Sequence, residues 1–251
     1  MMPRPDLTHA SFTRAAAFHT TRWSVVLSAQ GKSERDVSES LEALCGQYWR
    51  PLYAYVRHRG HSPHDAQDLT QEFFARLLAK DWLHAADREK GRFRSFLLMA
   101  LKRFLANEWD RSQAQKRGAG AHLISMDTEF AESQHAADHT AQMPADCLYE
   151  RRWAITLLEN VMLSLRHEHE AAGRLAEYEI LKPSLTAERG DIRYDELAAA
   201  LGMEPASARS AVHRLRKRFR QVFRAEVSGT VADPAEVDDE MRAVIAALGR
   251  D

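Results

Sequence analysis

The sequence predicts an all-α protein of two helical domains joined by a flexible linker. Glycine and proline are infrequent, with 11 and 8 copies in 251 residues, and long stretches have helical periodicity. No alternating apolar and polar segments flank hairpin turns. The hydrophobic content of 45% is ordinary for a globular chain. No secretion signal or membrane span is visible, so we expect a cytoplasmic protein that does not contact a membrane.

Composition divides the chain into four parts. Residues 20–112 form an aromatic-rich helical domain, and residues 113–145 form a linker of small and polar residues. Residues 146–227 form a second helical domain, and residues 228–251 form an acidic tail that ends in a short helix. Because the linker lacks large apolar residues, we expect the two domains to fold independently.

Charge is segregated along the chain, although the net charge is only -1. The segment from Arg209 to Arg224 has seven basic residues and no acidic one, whereas the tail that follows is rich in aspartate and glutamate. A local basic segment of this kind is typical of a nucleic-acid contact.

Metal sites, cofactors and catalysis are not predicted. Cys45 and Cys147 have no second thiol at metal or redox spacing, so we expect them to be reduced. The histidine pairs at 135 and 139 and at 167 and 169 each lack a third ligand. No arrangement of nucleophile and base and no phosphate-binding loop indicates an enzyme.

A helix-turn-helix is predicted near the C-terminal end of the second domain. Residues 194–201 form a short amphipathic helix, Gly202 to Glu204 form a turn, and Pro205 begins a longer helix. The longer helix has an apolar stripe and, on another face, a basic stripe. The apolar stripe comprises Ala208, Val212, Leu215, Phe219 and Val222, and the basic stripe comprises Arg209, His213, Arg216, Arg220 and Arg224.

This longer helix is our candidate for DNA binding, because arginine forks bind guanine edges and basic side chains neutralise phosphates. The first turns of a recognition helix are the part that reaches bases. We therefore assign base or near-base contacts to Ser207, Arg209, Ser210 and His213. We assign backbone contacts to Arg216, Lys217 and Arg220, and include Arg214 in the same DNA-binding surface. The alternative is a solvated basic face on a surface helix.

Another helix is predicted to begin after Ser62, which can cap it, with Pro63 in its first turn. Its core stripe comprises Ala66, Leu69, Phe73 and Leu77. Its other face has Asp65, Asp68 and Glu72, with Gln71 and Arg76 nearby. Taken by itself, this acidic face is typical of a solvated helix.

Three segments resemble those of bacterial RNA polymerase sigma factors of the extracytoplasmic-function group. Residues 65–77, DAQDLTQEFFARL, resemble the helix by which these proteins bind the clamp coiled coil of the polymerase β′ subunit. Residues 91–111 are similar to the segment that reads and melts the minus-10 element. Residues 194–220 resemble the helix-turn-helix that reads the minus-35 element.

The resemblance implies a function in promoter recognition and melting. The implied partners are promoter DNA and core RNA polymerase, through the β′ clamp coiled coil and the β flap, with an anti-sigma factor as a further candidate. Implied polymerase contacts are Asp65, Asp68, Gln71, Glu72 and Arg76. For the minus-10 element we assign Lys102, Arg103, Asn107, Trp109 and Arg111, with Arg92, Arg94 and Phe93 as further candidates. Arg103 and Asn107 replace the usual Asn and Asp, and the long linker and acidic tail indicate a divergent branch.

Two alternatives come from other classes of function. The first is a helix-turn-helix regulator that does not engage core polymerase, which would need no acidic clamp-binding helix. The second is an enzyme acting on nucleic acid, with Mg²⁺ held by Asp65, Asp68 and Glu72. Three carboxylates on one exposed helix make a poor magnesium site without ligands from a second element.

Overall fold

The structure, a computed structural model, describes residues 34–79, 86, 91–114, 143–188 and 190–249. These residues form helices and connecting segments and contain no strand, which confirms the all-α prediction. Short 3₁₀ helices lie at Lys182–Leu185 and Pro234–Glu236. The α-helices are α1 (Glu34–His58), α2 (Pro63–Ala79), α3 (Phe93–Ala114), α4 (Ala145–Ala171), α5 (Leu175–Leu181), α6 (Tyr194–Leu201), α7 (Pro205–Thr230) and α8 (Val237–Leu248).

The described helices on both sides of the predicted linker share one hydrophobic cluster. Helix α4 packs against α1, α7 and α8. Buried members of the cluster come from all these helices, for example Leu52, Trp153, Val227 and Val244. The predicted linker falls largely outside the described residues, and the domain boundaries stay a prediction. The packing of α4 on α1 nevertheless joins the two predicted domains.

The apolar stripes predicted from periodicity lie in the core. In α4, Trp153, Leu157, Val161 and Leu165 recur at every fourth position and are buried. In α2 and α7 the predicted stripes are buried apart from Leu69 and Phe219, which are partly buried against the same cluster. Helical periodicity therefore indicated the inward faces correctly.

Local signals placed the helix ends as predicted. The Ser62 hydroxyl accepts a hydrogen bond from the backbone N–H of Asp65 (3.1 Å) and so caps α2. Helix α6 ends at Gly202, whose φ of 63° lies in the left-handed region that favours glycine. Pro205 begins α7 at a position where its missing N–H costs no helical hydrogen bond.

The acidic tail contains the short helix that the sequence predicted, and this helix is packed onto the rest of the chain. Helix α8 contacts α4 and α7. It buries Val237, Val244 and Ala247 and also the carboxylate residue Glu240, whereas Ile245 is 59% exposed. The tail is therefore part of the folded structure in the described residues.

Cys45 and Cys147 are free thiols. Within the described ranges no group of three potential ligands lies close enough to hold a metal ion. The histidine pair at 135 and 139 lies outside the described residues. None of the described helices combines the length and the apolar character that crossing a bilayer requires.

Candidate polymerase and DNA interface

The acidic face of α2 is exposed. Asp65 and Asp68 are both exposed, and Glu72 is partly exposed. The Asp65 carboxylate accepts a hydrogen bond from the Ser62 hydroxyl (2.7 Å), and Asp68 lies 3.2 Å from His64 Nδ1. These contacts are local to the start of the helix, so the face remains open to a partner.

Gln71 lies at the edge of this face and is buried. It is 6% exposed. At about 100° per residue, position 71 is turned roughly 100° from position 72 and roughly 60° from position 68, toward Phe74. Gln71 is close to the acids in the chain, and the resemblance implies a polymerase contact for it as for them. As placed, Gln71 is unsuited to a surface contact.

Arg76 connects α2 to α3. Its guanidinium donates to Glu72 (2.6 Å) and to Glu108 of α3 (2.7 Å), and it lies 5.1 Å from the centre of the Phe104 ring. Burial acts to lower the pKa of Arg76, but its bonds to the two glutamates outweigh this effect and raise the pKa. Arg76 therefore has a structural role in the free protein beside any contact with polymerase.

The predicted minus-10 residues in α3 divide into exposed and paired side chains. Arg103 and Asn107 are exposed, and Trp109 is 66% exposed although its ring is large and apolar. Lys102 is partly exposed, and its ammonium group lies 2.6 Å from the Asp146 carboxylate of α4. Arg111 lies in α3, but its side chain is outside the described residues.

Phe93 is a core residue. It is 3% exposed and packs edge-on against Tyr48, with ring centres 5.6 Å apart. Phe93 is a further stacking candidate in the sequence, but its burial leaves no room for a base. Of the two aromatic candidates, Trp109 and Phe93, only Trp109 is accessible.

Arg94, also a candidate phosphate contact in the sequence analysis, is buried at 3% exposure. Its guanidinium donates to Glu150 of α4 (2.7 Å) and to both carboxylate oxygens of Glu240 in α8, and it lies 4.2 Å from the Trp153 ring centre. The Tyr149 hydroxyl donates to the Arg94 carbonyl (3.0 Å). We call these five residues the Arg94 cluster.

Burial opposes the positive charge of Arg94, but the coulombic effects of Glu150 and Glu240 outweigh it and raise the pKa of Arg94. A buried charge of this kind is tolerated because it is paired and hydrogen-bonded. Arg94 therefore has no accessible charge for a phosphate while the cluster is intact.

Helix α7 presents an exposed polar surface from Ser207 to Arg220. Its members are Ser207, Arg209, Ser210, His213, Arg214, Lys217 and Arg220. The Ser210 hydroxyl donates to the Ala206 carbonyl (3.0 Å). The Arg209 guanidinium lies 5.1 Å from the centre of the Tyr194 ring in α6, an arrangement that orients it at the start of the helix.

Arg216 differs from its neighbours. Its guanidinium donates to the backbone carbonyls of Ser184 (2.9 and 2.7 Å) and Ala187 (2.5 Å). These bonds tie α7 to the segment after α5, so most of the hydrogen-bonding capacity of Arg216 is used inside the protein. Arg218 similarly forms two bonds to Glu168 of α4 (2.8 and 2.6 Å). Sequence periodicity showed the basic stripe but could not show which members have internal partners.

Taken together, the described residues present an exposed acidic helix face, an α3 surface with Trp109, and an exposed basic helix after a tight turn. This combination is suited to binding a protein partner and nucleic acid. Residues 44–115, which include α2 and α3, match the family model for sigma-70 region 2. The match supports a role as an RNA polymerase sigma factor. Sigma factors are non-enzymatic initiation factors that act in promoter recognition and melting. No curated protein and no solved structure gives a significant match to the chain.

Proposed function

We propose that this chain is a cytoplasmic sigma factor of the extracytoplasmic-function type, from a divergent branch. The first helical part binds the β′ clamp coiled coil through the acidic face of α2 and contacts the melted minus-10 strand through α3. The second part binds the minus-35 duplex through α7 and the β flap of polymerase. An anti-sigma factor is a further candidate partner.

The observation that carries the proposal is the position of the acidic face within the matched region. Residues 44–115 match sigma-70 region 2, and within this range Asp65 and Asp68 are exposed while the apolar side of α2 is buried. An exposed charged face on a well-anchored helix is suited to steering and orienting a charged partner.

The exposed residues of α3 and α7 support the DNA contacts. Trp109 offers a ring on which an unpaired base can stack, a contact worth about 1 to 3 kcal/mol. Arg209 is exposed in the first turns of α7, where a recognition helix reaches base edges. Lys217 and Arg220 are exposed further along the helix, where phosphates would be met.

Run-off transcription tests the function directly. Purified core polymerase is supplied with a library of promoter fragments, with and without this chain, and the transcripts are sequenced. We expect specific start sites that depend on the chain. If the chain binds promoter fragments without producing transcripts, it is a helix-turn-helix regulator instead. A nuclease assay of the chain alone with Mg²⁺ tests the enzymatic alternative, and we expect no cleavage.

A further inference from the structure

Helices α4, α5 and α7 border a small cleft, which we call the α5 cleft. Its charged lining consists of Arg174, which directly precedes α5, Arg214 and Arg218 of α7, and the two carboxylates of Glu168 and Glu177. Its volume of about 220 Å³ lies below the range of about 300 to 1,000 Å³ that is usual for drug-sized ligands. The cleft is therefore suited to one small group.

The three arginines differ in how far internal partners use their hydrogen-bonding capacity. Arg218 forms two bonds to the Glu168 carboxylate (2.8 and 2.6 Å). Arg174 lies 4.0 Å from Glu177, which is too long for a hydrogen bond. Arg214 is exposed, and its side chain has no hydrogen bond or ion pair with another described residue. Two guanidinium groups of the cleft therefore have N–H donors available for a ligand.

The charges and donors of the cleft favour a phosphate group. Three arginines outnumber two glutamates, which leaves one positive charge in excess. A planar carboxylate is already satisfied by a single guanidinium fork, as Glu168 is by Arg218. A phosphate has three strong acceptor oxygens and can accept from two forks at once. It therefore matches the two available guanidinium groups better than a carboxylate does.

The walls of the cleft are formed by packed side chains. Leu181 and Leu215 line it and are buried. His169 lines it as well, and its Nδ1 donates to the backbone carbonyl of Leu165 (2.7 Å). The His169 ring also packs on the Tyr178 ring, with ring centres 5.1 Å apart. A site with walls of this kind loses little freedom when it binds a ligand.

Arg214 connects the cleft to the predicted DNA-binding surface. It also lines a second groove with Ser207 and Ser210, two of the predicted base contacts. A phosphate of the DNA backbone can therefore reach the cleft from a duplex bound on α7. A small phosphate compound in the same place would occupy Arg214 and repel the duplex, so that each ligand weakens the other.

We propose that the α5 cleft is a phosphate-binding site in which Arg174 and Arg214 donate to the phosphate oxygens. The phosphate belongs to the DNA backbone or to a small phosphate compound, and the chemistry of recognition is the same for both. The site itself can be tested in the free protein. Only its effect on DNA binding rests on the proposed function.

Inorganic phosphate is the probe for the site in the full-length chain. Binding is measured by calorimetric titration at constant ionic strength, with chloride in the blank. Arg174→Gln removes one available guanidinium group. Arg166→Gln is the matched control, because Arg166 is also exposed and pairs with a glutamate of α5 (3.3 Å to Glu179) but does not line the cleft. Circular dichroism checks that both variants keep the helical content of the wild-type protein.

We expect saturable binding of one phosphate per chain, weakened about tenfold in Arg174→Gln and unchanged in Arg166→Gln, because hydrogen bonds from a charged donor are lost. In an NMR titration the Nε–H signals of Arg174 and Arg214 should shift with one common midpoint, whereas the signal of Arg166 should not shift. Binding that does not saturate, or equal affinity in Arg174→Gln and Arg166→Gln, would overturn the site.

Titration with the preferred minus-35 duplex distinguishes the two sources of phosphate. A salt slope that falls by about one counterion in Arg174→Gln, but not in Arg166→Gln, identifies a phosphate of the DNA backbone. A small phosphate compound is identified by an unchanged slope and by a duplex affinity that falls severalfold when phosphate replaces chloride at equal ionic strength. That fall should be absent in Arg174→Gln.

Two further outcomes separate the site from the function proposed above. If phosphate binds in the cleft but neither the salt slope nor the duplex affinity responds, the connection between the cleft and DNA binding is wrong. If phosphate binds in the cleft but the chain binds no duplex and supports no transcription, the site is supported and the sigma-factor assignment fails instead.

Discussion

At the scale of single residues, the basic side chains of α7 have different environments despite their similar spacing. Arg216 is bound to backbone carbonyls and Arg218 to Glu168, whereas Arg209 and Lys217 are exposed. Arg209 also lies over the Tyr194 ring. Arg209 and Lys217 are therefore the residues at which base reading and phosphate binding can be tested separately.

Arg209→Ala should weaken binding to the preferred minus-35 duplex by about 1 to 3 kcal/mol and relax preference at one or two positions, because a base contact is lost. Lys217→Ala should weaken all duplexes about equally and reduce the salt slope by roughly one counterion. Both are measured by titration of the full-length chain with matched and scrambled duplexes at several salt concentrations. Equal losses on both duplexes for Arg209→Ala would make the basic surface a non-specific anchor.

The pair between Arg218 and Glu168 gives a pH-dependent contribution to stability. The hydrogen bonds from Arg218 lower the pKa of Glu168 below its ordinary value of 4.5. A lowered pKa means that the pair stabilises the folded state above that value and is lost as the pH falls through the folded-state pKa.

Arg218→Ala should therefore raise the pKa of Glu168 toward 4.5 and weaken the acid dependence of stability. The measurement is an NMR titration of the Glu168 side-chain carboxyl carbon. Lys217→Ala, a change at the exposed neighbour, should leave the Glu168 midpoint where it is in the wild-type protein. The same midpoint in Arg218→Ala and wild type would show that the pair does not form in solution.

At the scale of elements, α2 has one buried face and one charged face, and Arg76 connects it to α3. The acids on the charged face are not equivalent, because Glu72 holds Arg76 whereas Asp68 contacts the exposed His64 of its own helix. A substitution at Asp68 therefore tests the role of the charged face in binding more directly than one at Glu72, because it leaves the ion pair between Glu72 and Arg76 intact.

Asp68→Lys combined with Glu72→Lys should weaken binding to core polymerase by about tenfold or more, since reversed charges repel the partner that the acids attract. Asp68→Lys alone should weaken binding without disturbing Arg76. Asp195→Lys, a charge reversal at an exposed position of α6, should have no effect on this binding. Affinity is measured by titration with core polymerase, and circular dichroism checks the helical content. Unchanged affinity in the double variant would contradict the clamp contact.

At the scale of the whole molecule, α4 and α8 connect the parts that the sequence separates. The shared hydrophobic cluster extends from α1 to α8, and the Arg94 cluster joins α3, α4 and α8. The prediction that the halves fold independently was based on the linker composition alone. The packing of α4 against α1 instead favours halves that stay together.

A protease site inserted within residues 115–142 should give two fragments that elute together after cleavage and unfold in one transition, because α1 and α4 bury apolar surface against each other. Size-exclusion chromatography and thermal melting provide the measurements. Glu240→Gln should lower the melting temperature of the cleaved protein more than Asp239→Asn does. Fragments that separate and melt individually would support independent domains.

The sequence by itself determined the helical class, the inward faces of α2 and α7, the starts of α2 and α7 and the end of α6. These depend on local physics: the helical period, the Ser62 cap, the left-handed Gly202 and the fixed φ of Pro205 all act within a few residues. The same local information identified the exposed acids of α2 and the exposed first half of α7. It also supplied the resemblance to sigma factors, which the match over residues 44–115 supports.

Tertiary structure alone decided which charged and polar residues are accessible. Arg94 and Glu240 are 146 positions apart, and no spacing rule connects charges at that separation. Gln71 became buried on the flank of α2 beside Phe74, and Arg216 met the carbonyls of Ser184 and Ala187. Periodicity indicates which way a side chain points from its own helix, whereas its partner depends on which other helix packs there. For this reason composition alone predicted the acidic tail to be a separate segment. Its helix instead packs on the core and contains a fully buried glutamate.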